Sequence, residues 1–152
     1  MAKSIDQWLD AYGVSHQNRT NKLIHWICVP IITWTVLALL WEVSLAPGSW
    51  MNLAMAFILF ALVFYFRLSV PLMLGMAAFS ASCIGLILWH EQALDIALWQ
   101  TALALFVLAW IGQFIGHRIE GKKPSFFQDL QFLLIGPAWL LSFVYRRLGL
   151  PV

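Results

Sequence analysis

A chain of 152 residues that is 62% hydrophobic and only 11% charged has more apolar surface than a soluble domain of this size can bury, which excludes a soluble protein and indicates one membrane domain. The net charge of +2, with no basic tail, excludes a charge-driven nucleic-acid partner. Its basic residues are better read as orientation signals.

Ser4 and Gln7 have capping-box spacing, and Ile5, Trp8, Leu9 and Tyr12 recur at i, i+3, i+4 and i+7 up to Gly13. This predicts a short amphipathic helix lying on the membrane surface. The first 22 residues are polar and amphipathic, so no cleavable signal peptide is expected. Residues 15–22 are too polar for lipid, and the apolar run 23–43 is the first span, roughly the 20 residues a bilayer requires. Residues 46–49 form a turn, and 50–66 a second span with aromatic residues at both ends. Arg67 marks the next boundary. A third span covers 68–89, with Pro71 in its first turn, where a proline is tolerated. Residues 90–95 are a loop and 96–116 the fourth span. Cys28 and Cys83 lie inside apolar runs without Cys-x-x-Cys spacing and read as small core residues.

The stretch 126–145 is polar at its start (Gln128, Asp129, Gln131) and broken by Gly136-Pro137. If it does not cross the bilayer, all 9 Lys and Arg fall on one side, which the positive-inside rule makes cytoplasmic. The expected fold is therefore all-α integral membrane: four transmembrane helices, an N-terminal amphipathic surface helix and a re-entrant or interfacial C-terminal helical segment. The expected location is a bacterial inner membrane, with the N-terminus cytoplasmic.

Two polar stripes end at that cytoplasmic face. Gln113, His117 and Glu120 share one helix face, with Gly112 and Gly116 beside them as a small-xxx-small pair that admits a partner helix. Asn18, Asn21 and His25 form a second stripe directed to the interior. His16 lies nine residues before His25, so the chain must bend back near Gly13 and Ser15 for the two to converge. Three neutral imidazoles, His16, His25 and His117, can bind a first-row divalent metal and leave positions open, with Glu120 as a fourth ligand or as an orienting partner. The bland alternative is histidines satisfied by hydrogen bonds to Asn18, Asn21, Gln113 and Glu120. Gln113 suits helix-to-helix hydrogen bonding better than ligation.

His90 lies on the opposite side, about 30 Å across the hydrocarbon core, and reads as a solvated loop residue beside Glu91. The tryptophans are belt and packing residues. Two other functional classes fit: a b-type haem protein ligated by His25 and His117, and a non-catalytic lipid-binding or assembly protein held together by its polar stripes.

The motifs Tyr12-x-x-Ser-His16-Gln-Asn-Arg-Thr-Asn21-x-x-Ile-His25-x-x-x-x-Pro30 and Gln113-x-x-Gly116-His117-x-x-Glu120-x-x-x-Pro124 resemble the 2-hydroxy fatty acid dioxygenase family, and the resemblance covers nearly the whole chain. It implies Fe(2+)-dependent alpha-oxidation, in which a 2-hydroxy fatty acid and O2 give a fatty acid one carbon shorter. His16, His25 and His117 would then be the iron ligands, and Glu120 and Asn21 the catalytic residues beside them. Arg118, Lys122 and Gln113 are the candidates for substrate contact, with membrane lipid as a further partner attracted by the basic cluster.

Overall fold

Ser4 begins the first helix as its pattern predicts: its hydroxyl accepts from the Gln7 backbone N–H, and the Gln7 side chain accepts from the Ser4 N–H. The computed structural model describes residues 4–46, 51–121 and 133–152. Six α-helices are found among them: α1 (Ile5–Gly13), α2 (Arg19–Trp41), α3 (Leu53–Leu68), α4 (Val70–Ala93), α5 (Leu98–Glu120) and α6 (Ile135–Leu148).

Three of these, α2, α4 and α5, are long and apolar enough to cross a membrane. Where the second span was expected, α3 has 16 residues, about 24 Å, which is short of a hydrocarbon core of about 30 Å. The 14 residues of α6 are shorter still. Its Gly136-Pro137 pair lies in the first turn rather than mid-helix, where proline's missing N–H costs little. The earlier part of the stretch expected to re-enter, and most of the turn at 46–49, lie outside the described residues.

From α2 to α5 the helices alternate in direction through short joints. Antiparallel backbone bonds, Leu45 N–H to the Met51 carbonyl and Leu53 N–H to the Val43 carbonyl, link α2 to α3. Ser69 alone separates α3 from α4; its extended backbone ends the first helix and its hydroxyl caps the second. The starts of α2 and α4 and the ends of α3 and α5 therefore share one end of the bundle, and the bond from Tyr145 to the Pro71 carbonyl brings the end of α6 to the same end. That end carries Arg19, Lys22, Arg67, Arg118, Arg146 and Arg147.

Two departures are instructive. The apolar face expected to rest on lipid, Ile5, Leu9 and Tyr12 of α1, is instead buried in one core with Ala138 and Trp139 of α6. The loop expected at 90–95 starts late, because α4 runs on to Ala93. Tyr65 donates to the Leu134 carbonyl at 2.5 Å and Tyr145 to the Pro71 carbonyl at 2.7 Å, so α6 is fastened to α3 and α4. Both cysteines are buried, as expected.

The most extensive packing is between α2 and α5. A Cβ at Gly112 would stand 2.7 Å from the Cys28 sulfur, and one at Gly116 would overlap the Asn21 side-chain oxygen. Only hydrogen at these positions lets the backbones come so close. Gly116→Ala should destabilise the protein by about 1–3 kcal/mol through overpacking. Gly85→Ala, where a Cβ meets nothing within 4 Å, should not; chemical denaturation in detergent compares the two.

Candidate metal centre

The chain between α1 and α2 turns at residues 14–18, as the Gly13 and Ser15 break predicts, and places His16 against the first turns of α2. His25 is two turns into α2, and His117 sits in the last turn of α5. All three are buried, and one ligand nitrogen from each lies within 4.8 Å of the other two. Ring centroids are 4.2 Å apart for His16 and His25, 5.0 Å for His25 and His117, and 5.6 Å for His16 and His117.

Local backbone geometry decides which nitrogens face the cluster. Nδ1 of His16 is 2.7 Å from the Tyr12 carbonyl and Nδ1 of His25 is 2.9 Å from the Asn21 carbonyl, each four residues back. A carbonyl only accepts, so both rings carry their proton on Nδ1 and present a basic Nε2. Such a backbone partner commonly fixes the tautomer of a ligating imidazole. Two metal–nitrogen bonds of about 2.1 Å in line span about 4.2 Å, so a small inward turn of the rings would let them share one ion. The donor set fits a first-row divalent metal.

Glu120 braces the centre from α5. Its Oε1 accepts from the Gln17 N–H at 2.8 Å, and its Oε2 from the Asn18 N–H at 2.9 Å and the Asn21 side-chain amide at 3.0 Å. Asn21 is completely buried and donates its second amide hydrogen to the Ser15 carbonyl at 3.1 Å. Both amide hydrogens are thus committed to holding the turn that carries His16.

Of the other expected site residues, Gln113 is buried one turn before His117, and its Oε1 has no hydrogen-bond partner among the described residues. It borders a hollow of about 30 Å³ with Tyr12, Val29, Trp110 and Gly136, room for about one water. Arg118 is exposed on α5, and Lys122 lies outside the described residues. Asn18 does not face the interior as expected. It is exposed and caps α2, its side-chain oxygen accepting from the N–H groups of Thr20 and Asn21.

His90 departs furthest from its expected role. It is buried inside α4, with Nε2 2.9 Å from the Thr101 hydroxyl. Thr101 precedes His117 by 16 residues on α5, about 24 Å of helix, so His90 remains remote from the cluster.

Two aromatic neighbours were given no site role from the sequence. Tyr12 stacks on His16 with centroids 4.2 Å apart and planes 9° apart, and Trp139 stands 5.2 Å from both rings. The signal for Tyr12 was its position four residues before His16; Trp139, one tryptophan among nine, carried none. The ring distances also argue against a haem between His25 and His117, because His16 stands beside their midpoint, where a porphyrin would have to extend.

Comparison with known proteins gives the family. Residues 2–148 match the model of a family described as Mpo1-like, 2-hydroxy-palmitic acid dioxygenase Mpo1-like. The chain belongs to the Mpo1-like family. It is 30% identical over 143 residues to the 2-hydroxy-palmitic acid dioxygenase MPO1 of Saccharomyces cerevisiae, a match covering 93% of this chain and 79% of the yeast protein. No solved structure matches. Since this Mpo1-like chain loses its acceptor pair at the turn when Glu120 is replaced, Glu120→Gln should weaken metal binding about 10- to 100-fold with helix content unchanged. Titration against a competing chelator, with circular dichroism alongside, measures this.

Proposed function

We propose that the protein is an integral membrane, iron(II)-dependent dioxygenase that shortens 2-hydroxy fatty acids by one carbon. The observation that carries the reading is the convergence of three buried imidazoles from three separate chain segments, two of them oriented by backbone carbonyls, in a member of a family described as 2-hydroxy-palmitic acid dioxygenase Mpo1-like.

The reaction balances with one O2 for each acid. The hydroxyl-bearing carbon becomes the new carboxyl, the old carboxyl leaves as CO2, and the remaining oxygen and hydrogens leave as water. Iron held by His16, His25 and His117 would supply Lewis acidity and the redox chemistry that brings O2 to reaction. Three neutral ligands leave the metal's charge uncompensated, which favours an anionic substrate with two adjacent oxygen donors. The protein's own work is orientation. Tyr12 and Asn21 hold two imidazoles through their carbonyls, Glu120 and Asn21 hold the turn, and Tyr12 and Trp139 wall His16. Gln113 offers an unpaired buried carbonyl oxygen one turn from His117 that can accept a proton-bearing group of the substrate.

In this reading α3 joins α2, α4 and α5 as a fourth span, helped by local bilayer thinning, and α6 stays on the cytoplasmic side with the basic end of the bundle. Detergent-purified protein should carry about one iron per chain after reconstitution under reducing conditions, and should take up O2 with 2-hydroxy fatty acids. His117→Ala should abolish both. His90→Ala should cost stability, through the lost bond to Thr101, but keep iron and O2 uptake. Elemental analysis and an oxygen electrode decide between this reading and a non-catalytic lipid-binding protein, which would hold no stoichiometric metal.

A further inference from the structure

Along the outer face of α2, Lys22, Trp26, Pro30 and Trp34 follow at intervals of four residues and form one stripe about 18 Å long. Each of them borders a depression. At the cluster end, Lys22 and Arg146 line a hollow of about 360 Å³ whose wall also holds His16, Trp139 and Phe143. Asp10 is the acid on that wall. Trp26 and Pro30 border a second hollow of about 160 Å³, with Phe79, Leu140 and Val144 opposite. Pro30 and Phe79 also border a third, of about 400 Å³, which continues past Trp34 and Ser82 to the His90–Thr101 pair. The Trp26 and Phe143 rings, 6.2 Å apart between centroids, mark the boundary between the first hollow and the second.

The three hollows therefore lie head to tail, cationic at the first, where Lys22 and Arg146 stand beside His16, and apolar for most of their length. An acyl chain with an acidic head has the same profile. Arg146 suits a carboxylate because its planar fork binds both oxygens, and Lys22 adds a point charge on the other side. Arg118, the cation expected to meet substrate, does not border this depression.

We propose that this trough binds the acyl substrate, its carboxylate held by Arg146 and Lys22 beside the histidine cluster and its chain laid along Trp26, Pro30 and Trp34 toward His90. Trp34 and Ser82 then set the chain length accepted. The proposal rests on the dioxygenase reading. It assigns to that reaction a head-group site and a tail site made by α2, α4 and α6.

Equilibrium dialysis of the detergent-purified protein tests it with three probes: 2-hydroxyhexadecanoate, hexadecane-1,2-diol and 2-hydroxyoctanoate. The double variant Lys22→Gln, Arg146→Gln should bind the long acid about 10- to 100-fold more weakly while binding the diol as the wild type does. Ser82→Trp, which adds a ring at an exposed position in the third hollow, should weaken the long acid about tenfold and leave the eight-carbon acid unchanged. The unaffected probe in each case also reports that the variant has folded. Long-acid binding within twofold of wild type in the double variant, or equal effects of Ser82→Trp on both acids, would overturn the trough. Iron content and O2 uptake on the same samples separate the two levels. If the wild type keeps both while its variants bind normally, only the trough fails; if the wild type holds no iron and takes up no O2, the dioxygenase reading fails and the trough with it.

Discussion

The Glu120 carboxylate, at the end of α5, captures two consecutive backbone N–H groups and the Asn21 amide at the start of α2. Everything at the candidate centre depends on that grip. It fixes the turn that carries His16, and through Asn21 it fixes the first turns of the helix that carries His25, while His117 sits one turn back along α5 from Glu120 itself. The grip is possible because Gly116 removes the side chain that would otherwise keep Asn21 and α2 at a distance. A small residue and an acid four positions apart thus bring three imidazoles from three chain segments to one point.

Burying three imidazoles, an amide and a glutamine in one place is costly unless each group is oriented or used. The structure spends backbone carbonyls on this. Tyr12 and Asn21 accept the Nδ1 protons, which the helix geometry of i and i−4 supplies without any further residue. Aromatic rings complete the enclosure: Tyr12 and Trp139 lie on His16, and Trp139 and Phe143 lead from it toward the apolar hollows of α2. The same polar-to-apolar gradient is what an amphiphilic substrate requires, and it runs along one face of a single helix.

Much of this was legible in the chain. The capping box at Ser4 and Gln7, the long apolar helices, the glycine pair on α5 and the break before His16 are local or periodic features, and each is found where its pattern predicts. His90 was read wrongly for a physical reason. A histidine next to Glu91 and Gln92 looks like loop, but α4 continues for another turn and Thr101 of α5 lies opposite the ring. Asn18 was drawn into the interior stripe by its spacing from Asn21 and His25, whereas helix capping uses it outside. The face of α1 was matched to lipid because amphipathicity states that a face must be covered, not by what; α6 covers it.

The sequence by itself determined the class, an all-helical chain with membrane-length apolar segments, and the identity of the three histidines as candidates, because hydrophobic period, caps and breakers act over a turn or two of helix. Only the tertiary structure decided that the imidazoles meet, that Glu120 and Asn21 brace a turn, and that Lys22 and Arg146, 124 positions apart, border one depression. Those relations join residues distant in the chain, and they depend on how closely two helices can approach and which side chains then face each other, which no local pattern encodes.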